Sequence, residues 1–365
     1  MMAGNTWKNK YDGDVIDAII KQDQKAQAEV IKDPFDITKK WAEPAPSGGT
    51  FKKFSQIFGL KPSEIPDLSF RVFEPEDWHE EARLHIPAVD KRWVWNKPVL
   101  ERLALALYCG DTTLLYGLQG TGKTEMAVQW CAKLGIPAWR MSCNAETREA
   151  HFLGSPGVDF NEEGQMRIKQ EPTILTDSLQ YGGMFIEDEA FRHNSALVLQ
   201  SLREKNTRCV VLPDAPGRSA EERKLKAPDN WWYILTDNTA GSGDETGMFD
   251  AQVQDASTLD RVGAAIEVFY LGKTQEKKII SNHSTLLSKA QISGMVDFAK
   301  LARNAFNDQR LQATISVRSL LAWAEKAEMV GNLEFALRLT WWDKLCKDDQ
   351  AVAKDIYHQV FVRNL

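Results

Sequence analysis

The chain has 365 residues, of which 43% are hydrophobic and 26% are charged, as is ordinary for a globular protein. This length exceeds the usual size of one domain, so we expect two or three compact units. The formal net charge of −6 argues against binding of nucleic acid through general electrostatics, because proteins of that class usually carry a basic excess. No nucleic-acid partner is therefore expected.

The sequence has no feature that predicts a membrane location or a disulfide framework. The first residues lack an apolar segment, and no run of 18 apolar residues occurs. The five cysteines are scattered without CxxC pairs, and the six histidines are dispersed too, so no Cys/His metal site is expected. We expect free thiols, a reducing cytoplasmic setting and no membrane partner.

Residues 1–95 predict an N-terminal extension that is irregular and partly helical. Residues 14–31 have the pattern of a polar amphipathic helix. A linker rich in Pro, Gly and Ser follows at 43–49. The segment FKKFSQIFGL at 51–60 suits a short helix, and the passage after it is irregular. The simplest role for this extension is that of a packing arm or an adaptor.

Residues 96–272 alternate between strand and helix patterns. Short apolar segments bounded by turns predict buried strands, and the segments between them have helical periodicity. This alternation predicts the α/β class, with a parallel sheet between helices. Strands are predicted at 112–117, 136–143, 182–190, 230–239 and 264–272, and helices at 98–110, 123–135 and 192–204.

No strand pattern appears in residues 273–365. All the periodic segments in this range suit helices, and the length is within the usual range for a domain. We therefore expect a separate all-α domain at the end of the sequence. Its helices are predicted at 274–284, 293–306, 315–332, 333–346 and 349–365.

The segment GLQGTGKT at 117–124 matches the phosphate-binding pattern G-x-x-x-x-G-K-[ST] without exception. A predicted strand precedes it and a predicted helix follows it, as this motif requires. The glycines let backbone N–H groups surround a phosphate, and the helix N-terminus adds its positive dipole end. We expect Lys123 to contact the β- and γ-phosphates of ATP and the Thr124 hydroxyl to bind Mg²⁺. The predicted nucleotide-binding residues of this loop are Gly117, Gln119, Gly120, Thr121, Gly122, Lys123 and Thr124.

An apolar strand ends in three acids, Glu187, Asp188 and Glu189. A buried parallel strand does not tolerate such a cluster inside the sheet, so we expect the acids at its carboxyl end, beside the phosphate loop. Asp188 is then placed to hold Mg²⁺ through water, and Glu189 to orient or deprotonate the attacking water. Because Glu187 is a third acid, this assignment is ambiguous by one residue.

Three further residues are candidates for responding to the nucleotide. Asn238 follows another buried strand and is a candidate to share the attacking water with Glu189. Arg261 lies in a loop before the last predicted strand, and Arg318 lies near the start of a predicted helix. Phosphoryl transfer gains greatly from a guanidinium at the γ-phosphate, often supplied by a neighbouring molecule. Both arginines are therefore candidates for that role.

The motifs GLQGTGKT, IEDEAFR, LTDNTAGSGDETG, STLDRV and ISVRSLLAWAEKA, in this order, resemble the AAA+ ATPases of the MoxR branch. They are especially similar to the CobS-type subunit of cobaltochelatase and its relatives, over residues 50–330. The resemblance implies that Asn238 is sensor 1, that Arg261 is an arginine finger acting in trans, and that Arg318 is sensor 2 in a helical lid. It also implies an ATP-hydrolysing ring, usually a hexamer, with ATP and Mg²⁺ between subunits.

The resemblance further implies a motor that remodels or activates a partner protein complex, often one with a von Willebrand A domain. An alternative is the motor subunit of a cobalt or magnesium chelatase, and a third is a non-hydrolysing, nucleotide-dependent assembly protein. Two residues depart from the family pattern: Val317 replaces the usual Pro, and Val262 replaces a common Phe. The acidic run is also nearer the general MoxR form than the chelatase form.

Two segments look like the substrate-facing loops of this family. Residues 157–170 alternate around a central glycine, which predicts a β-hairpin, and residues 213–230 form a polar, charged loop. Long loops in compact domains are often functional.

Overall fold

The computed structural model describes most of the chain after the first 47 residues. Gly48–Leu365 forms one compact unit. The helix predicted at 14–31 lies outside the described residues. The described ranges are 48–160, 166–193, 196–212, 223–243 and 253–362.

The described elements are numbered in chain order. The strands are Thr50–Lys53 (β1), Ser69–Val72 (β2), Thr113–Tyr116 (β3), Ala138–Ser142 (β4), Pro156–Phe160 (β5), Met166–Gln170 (β6), Gly183–Asp188 (β7), Cys209–Val211 (β8), Lys224–Lys226 (β9), Trp231–Asp237 (β10) and Ala264–Glu267 (β11). The α-helices are Phe54–Phe58 (α1), Glu80–Arg83 (α2), Lys97–Cys109 (α3), Lys123–Leu134 (α4), Glu149–Leu153 (α5), Ile174–Tyr181 (α6), Ala196–Arg203 (α7), Ala256–Asp260 (α8), Lys273–His283 (α9), Lys289–Asn307 (α10), Val317–Val330 (α11), Leu333–Thr340 (α12) and Lys347–Tyr357 (α13).

Five strands form one parallel sheet in the spatial order β11-β3-β10-β7-β4. Strands β7 and β10 are buried along their whole length, as strands covered on both faces must be. The register pairs Asp188 with Ser142 and Thr236, and Asp237 with Tyr116. The carboxyl ends of these strands therefore meet at one edge of the sheet. The predicted α/β architecture with a parallel sheet is confirmed.

Helices α3, α4 and α6 pack on this sheet, and α4 contacts β3, β7 and β10. Helix α4 begins at Lys123, directly after Gly122, and ends at Leu134; its C-cap is Gly135, whose φ of 66° is in the left-handed region. A glycine of this conformation is a common helix stop. The order strand, glycine-rich loop, helix that the sequence predicts at this point is confirmed.

The segment before the sheet packs against α4. The rings of Phe58 and Phe70 each lie 5.1 Å from the ring of Trp130, which is in the middle of α4. Aromatic contacts of this kind bury a large apolar area. This segment therefore supports the helix that follows the phosphate loop, which fits the packing role expected for it.

From Lys273 onward, the described residues form helices and no strand. Their core includes Phe298, whose ring lies 5.5 Å from that of Trp323 and 5.8 Å from that of Trp341. The predicted all-helical C-terminal region is confirmed, whereas the domain boundaries at residues 95 and 272 stay predictions. Among the described helices, none combines the length and the apolar character that a membrane span requires.

The helix predicted at 51–60 is wrong at its first three residues. Residues 50–53 form β1, which pairs antiparallel with β2, and only Phe54–Phe58 is helical. The partner strand is distant in sequence, so a local pattern does not reveal this pairing. Tertiary pairing here overrides the local helical preference.

Other predicted elements differ mainly in length. The strand predicted at 264–272 ends at Glu267, and the helix predicted at 192–204 begins at Ala196. The hairpin at 157–170 is confirmed as the antiparallel pair β5–β6. The predicted loop at 213–230 lies partly outside the described residues, and its described part contains β9, which pairs with β8.

Candidate active site

The loop between β3 and α4 has the backbone conformation that close approach to a ligand requires. Gly120 and Gly122 have φ values of 72° and 92°, in the left-handed region that favours glycine. A Cβ atom at Gly120 would lie 2.3 Å from Cβ of Ser316, and one at Gly122 would lie 3.2 Å from the indole of Trp93. The loop therefore has no room for side chains at Gly120 and Gly122. The first backbone N–H groups of α4, which have no partner within the helix, follow directly after the loop.

Hydrogen bonds hold the other loop residues in place. The Thr121 hydroxyl donates to the carbonyl oxygen of Leu118 at 3.0 Å. The carbonyl oxygen of Gln119 accepts a 2.8 Å hydrogen bond from the Tyr270 hydroxyl, which lies just before the helical region. The loop is thus connected to the segment that joins the sheet to the C-terminal helices.

Lys123 is buried and donates to three oxygens. Its Nζ lies 2.7 Å from the carbonyl oxygen of Gly117, 3.0 Å from that of Leu118, and 3.0 Å from Oδ1 of Asn238. Burial lowers the pKa of Lys123 to about 8, against the attraction of nearby carboxylates such as that of Asp237. An anion beside this ammonium would favour its charged form.

Asp188, at the end of β7, contacts the first turn of α4. Its Oδ1 accepts a 2.7 Å hydrogen bond from the Thr124 hydroxyl and another from the Thr236 hydroxyl. Burial disfavours the ionised carboxylate, but the hydrogen bonds from Thr236, Thr124 and Arg140 outweigh it and lower the pKa of Asp188. The hydroxyl of Thr124 and this carboxylate are oxygen ligands of the kind that Mg²⁺ prefers.

Glu187 does not lie at the strand end with the other acids. It is fully buried within β7, where Nη2 of Arg203 and Nε2 of His193 lie 3.0 Å and 2.7 Å from its carboxylate, and the Tyr233 hydroxyl donates to it. The expectation that all three acids project beside the loop is therefore wrong for Glu187. A paired cation and hydrogen bonds make this buried charge tolerable. Since neighbouring strand residues face opposite sides, Asp188 faces α4 instead.

Glu189 is the first residue after β7 and is half-buried. Its φ of 60° is in the left-handed region, which is uncommon for a residue other than glycine. Its Oε2 lies 3.0 Å from Nη1 of Arg192, which the sequence does not predict as part of the site. Such uncommon backbone conformations are often found at functional sites.

Asn238 and Arg318 both affect Lys123, the first through a hydrogen bond and the second through its charge. Asn238 contacts Lys123 directly, instead of the carboxylate of Glu189 with which the sequence associates it. Arg318 is exposed at the start of α11, and its charge is near enough to add to the burial effect that lowers the pKa of Lys123. The structure thus places Asn238 against the lysine of the phosphate loop, and Ser316, which precedes the helix that holds Arg318, lies beside Gly120.

Arg261 is held elsewhere by its own helix. Arg261 directly follows α8, and its Nη1 donates to the carbonyl oxygen of Ser257, near the start of that helix, at 2.5 Å. It lines a surface depression together with Glu204, Lys205 and Asp260. The hydrogen bond described for Arg261 is therefore with its own helix, and no described contact joins it to the other predicted site residues.

Two family models match the chain in succession. Residues 112–255 match the AAA domain of the dynein-related subfamily. Residues 276–360 match the C-terminal domain of the CbbQ/NirQ/NorQ proteins. The first match contains the phosphate loop and the acids of β7, and the second contains Arg318.

The chain is also similar to the aerobic cobaltochelatase subunit CobS of a Sinorhizobium species. The two are 23% identical over 314 residues, which cover 82% of this chain and 92% of CobS.

Solved structures similar to the chain include a RuvB mutant of Thermotoga maritima, with 17% identity and a TM-score of 0.46. That match covers 72% of this chain and 75% of RuvB. A putative ATPase from Cytophaga hutchinsonii has 14% identity and a TM-score of 0.39, covering 78% of this chain and 93% of the other.

The sequence motifs, the two successive family matches and the similarity to CobS agree with one another. The parallel sheet, the phosphate loop and the helical C-terminal region stand in the order that these matches require. Nucleotide binding is a property of this family. The chain is a MoxR-type AAA+ ATPase, similar to the CobS subunit of cobaltochelatase.

Proposed function

We propose that the phosphate loop binds ATP with Mg²⁺ and that residues of β7 and β10 assist its hydrolysis. Lys123 and the loop N–H groups would bind the β- and γ-phosphates. Thr124 and Asp188 would hold Mg²⁺, which would neutralise phosphate charge when bound. Glu189 would orient or deprotonate the attacking water, with Asn238 beside it.

The observation that carries this proposal is the contact between Thr124 and Asp188. The hydroxyl and the carboxylate come from the start of α4 and the end of β7, and they lie 2.7 Å apart. The two oxygens are of the type that Mg²⁺ prefers, and Lys123, whose pKa is lowered by burial, lies near them. A nucleotide with its metal would place Mg²⁺ at the two oxygens and a phosphate anion beside the ammonium of Lys123.

Binding and hydrolysis can be separated with two variants. We expect Lys123→Ala to lose nucleotide binding, because the ammonium is the charge on which the phosphates depend. Glu189→Gln should bind ATP but release phosphate at least about 100-fold more slowly, since the base that acts on water is lost. Fluorescent-nucleotide binding and phosphate release are the measurements, with Glu149→Gln, an exposed glutamate of α5, as the control.

Two results would contradict the site. Undiminished ATP binding by Lys123→Ala would remove the phosphate assignment. Equal phosphate release by Glu189→Gln and the wild-type protein would remove the catalytic role of Glu189. Absence of any release by the wild-type ring and its partners would favour a nucleotide-dependent assembly protein.

We further propose that the protein works as a ring, with six chains as the expected number, that remodels or activates a partner complex. In this proposal Arg318 contacts nucleotide within the chain, and Arg261 acts on the nucleotide of the neighbouring subunit. Native mass spectrometry with ATP should detect a closed assembly. Monomers at all ATP concentrations would contradict this.

The five unpaired thiols agree with a cytoplasmic location.

The partner can be sought with the slow Glu189→Gln variant, which should hold the ATP-bound state. Capture from the native host with ATP, against the Lys123→Ala variant as control, should enrich the client. A protein with a von Willebrand A domain is the partner that we propose first. Equal capture by both variants would mean that binding does not depend on nucleotide.

A second candidate function is that of motor subunit in a cobalt or magnesium chelatase. The similarity to CobS over 82% of the chain favours it. In this case, metal insertion into a tetrapyrrole by the captured partners should require ATP and this chain. Unchanged insertion with Glu189→Gln in place of the wild-type chain would contradict the chelatase function.

A further inference from the structure

An arginine that no motif predicts contacts the carboxylate of Asp188. Arg140 lies in β4, next to β7 in the sheet. Its Nη2 and Nε lie 2.5 Å and 3.2 Å from Oδ2 of Asp188. The Arg140 side chain is 51% exposed, whereas that of Asp188 is 12% exposed. The guanidinium therefore reaches the acid from the open edge of the sheet.

Both oxygens of Asp188 are occupied in this arrangement. The hydroxyls of Thr124 and Thr236 donate to Oδ1, and Arg140 donates twice to Oδ2. A carboxylate with two partners on each oxygen has little capacity left for another ligand. A cation that approaches Asp188 must displace some of these donors or share the carboxylate with them.

The displaced donor would be Arg140 on electrostatic grounds. A hydroxyl is neutral and can accept a metal ion on its own oxygen, whereas a guanidinium has no acceptor atom and repels a second cation. Two like charges on one carboxylate interact strongly where the surroundings are only partly wetted. Arg140 is also the more exposed of the partners, so it can swing into water.

We propose that Arg140 competes with the divalent ion for Asp188, so that it holds the carboxylate in the nucleotide-free protein and lowers its metal affinity. This inference rests on the proposed function, because Asp188 is taken there as a metal ligand. Arg140 is then a positioning residue that keeps Asp188 paired until the nucleotide brings its metal. It sets the metal concentration at which the site fills.

The test is a metal titration of the full-length protein saturated with ADP. Mn²⁺ replaces Mg²⁺ as the probe because its binding is detected directly by electron paramagnetic resonance. We expect Arg140→Gln to bind Mn²⁺ about tenfold more tightly than the wild-type protein, since a like charge next to the ion is removed. Arg140→Lys keeps the charge and should stay near the wild-type affinity.

The control is Arg102→Gln. Arg102 is 53% exposed and lies 3.7 Å from the carboxylate of Glu64, so it matches Arg140 in exposure and also has a carboxylate partner, but it lies on α3. Its Mn²⁺ affinity should equal that of the wild-type protein. ADP binding is measured on every variant with a fluorescent analogue, in the same buffer.

Unchanged or weaker Mn²⁺ binding by Arg140→Gln, with ADP binding intact, would overturn the proposal and make Arg140 a support for the metal site. Tighter binding by Arg140→Lys as well would also overturn it, because the charge would then not be the cause. Failure of the wild-type protein to bind ADP would instead remove the proposed function on which the inference rests.

Discussion

The ammonium group of Lys123 is buried and held in place by its surroundings. It begins α4, so the helix fixes its backbone, and its side chain is 9% exposed. Three oxygens surround it, one of which belongs to Asn238 on β10. These contacts only partly replace the lost hydration, and burial therefore lowers the pKa of Lys123 to about 8. The residue is prepared to receive an anion.

This arrangement predicts that buried Lys123 lowers the stability of the nucleotide-free protein by an amount that depends on pH. The pKa of lysine is near 10.5 in the unfolded protein, so below pH 8 Lys123 is charged in both the folded and the unfolded protein. The free energy of folding then includes the whole cost of removing the ammonium from water. Between pH 8 and 10.5 the folded protein loses the proton first, and wild-type stability rises relative to Lys123→Met. We expect a relative gain of about 1 to 3 kcal/mol in the free energy of unfolding.

Urea unfolding of both proteins at pH 7 and at pH 10 would measure this gain. Methionine has a similar length but no charge, so the difference between the two pH values isolates the titration of Lys123. A stability difference that stays constant between the two pH values would contradict the lowered pKa. The Arg102→Gln variant, altered at an exposed ion pair, controls for general pH effects.

At the scale of residues, the sequence predicts which residues form the site better than it predicts which side chains contact one another. The spacing of Lys123, Thr124 and the acids at 188 and 189 is sufficient to predict one site, because the register of parallel strands brings their ends together. The hydrogen bond from Lys123 to Asn238 and the pair between Arg140 and Asp188 depend on side-chain positions between strands distant in sequence. A single sequence does not contain that information.

At the scale of elements, β7 carries different chemistry on its two faces. Asp188 faces α4, while Glu187 is paired with Arg203 of α7 and with His193. Burial disfavours the charge of Glu187, but Arg203 and the hydrogen bonds from His193 and Tyr233 outweigh it and lower its pKa. The pair joins α7 to the strand just before the two acids of the site.

Breaking this pair should destabilise the protein strongly. Arg203→Met leaves the buried carboxylate of Glu187 without its arginine cation, so we expect a loss of about 3 to 5 kcal/mol in the free energy of unfolding. The double variant Glu187→Gln/Arg203→Met removes both charges and should be more stable than Arg203→Met alone. Urea unfolding of Arg203→Met, Glu187→Gln and the double variant tests this, and additive losses would show that the residues are not coupled.

The buried cluster around Glu187 also allows a prediction about removal of metal ions by a chelator. Cys143, Glu187 and His193 place three ligand-type atoms within 4.8 Å of one another, all of them buried. However, Arg203 already compensates Glu187, and burial raises the pKa of the Cys143 thiol, which disfavours the thiolate that a metal would need. We expect EDTA to leave the thermal unfolding temperature of the nucleotide-free protein unchanged. A decrease would indicate a structural metal here.

The elements that the sequence does not predict are those made by tertiary pairing. Residues 50–53 look helical in sequence but pair with Ser69–Val72, and Cys209–Val211 pairs with Lys224–Lys226 across a long connection. The buried strands β7 and β10 are predicted well because continuous apolar segments have few alternatives. Local pattern thus predicts the central sheet and the β5–β6 hairpin, but not the small sheets β1–β2 and β8–β9.

At the scale of the whole molecule, the proposed catalytic residues do not all gather in one chain. Lys123, Asn238 and Asp188 meet at the edge of the sheet, whereas Arg261 donates to the carbonyl of Ser257 and lines a separate depression. An arginine that assists phosphoryl transfer must reach the γ-phosphate. If Arg261 has this role, a second copy of the chain must supply it.

A mixing experiment distinguishes action between chains from action within one. Arg261→Ala keeps its own Glu189, and Glu189→Gln keeps its own Arg261, so each variant alone should hydrolyse ATP slowly. In a mixed ring, Arg261 from one chain can serve the intact Glu189 of its neighbour. We therefore expect phosphate release from the mixture to exceed that of either variant alone, by at least about tenfold if the finger is worth several orders of magnitude.

The mixing result depends on assembly, so native mass spectrometry should be performed on the same samples. A mixture that forms rings of both variants but releases no more phosphate than its components would contradict action in trans. Full activity of Arg261→Ala alone would show that Arg261 is not required. Arg310→Ala, altered at an exposed arginine of the helical region, is the matched control and should behave as the wild-type chain. Recovery in the mixture alone would mean that the subunit interface completes the active site.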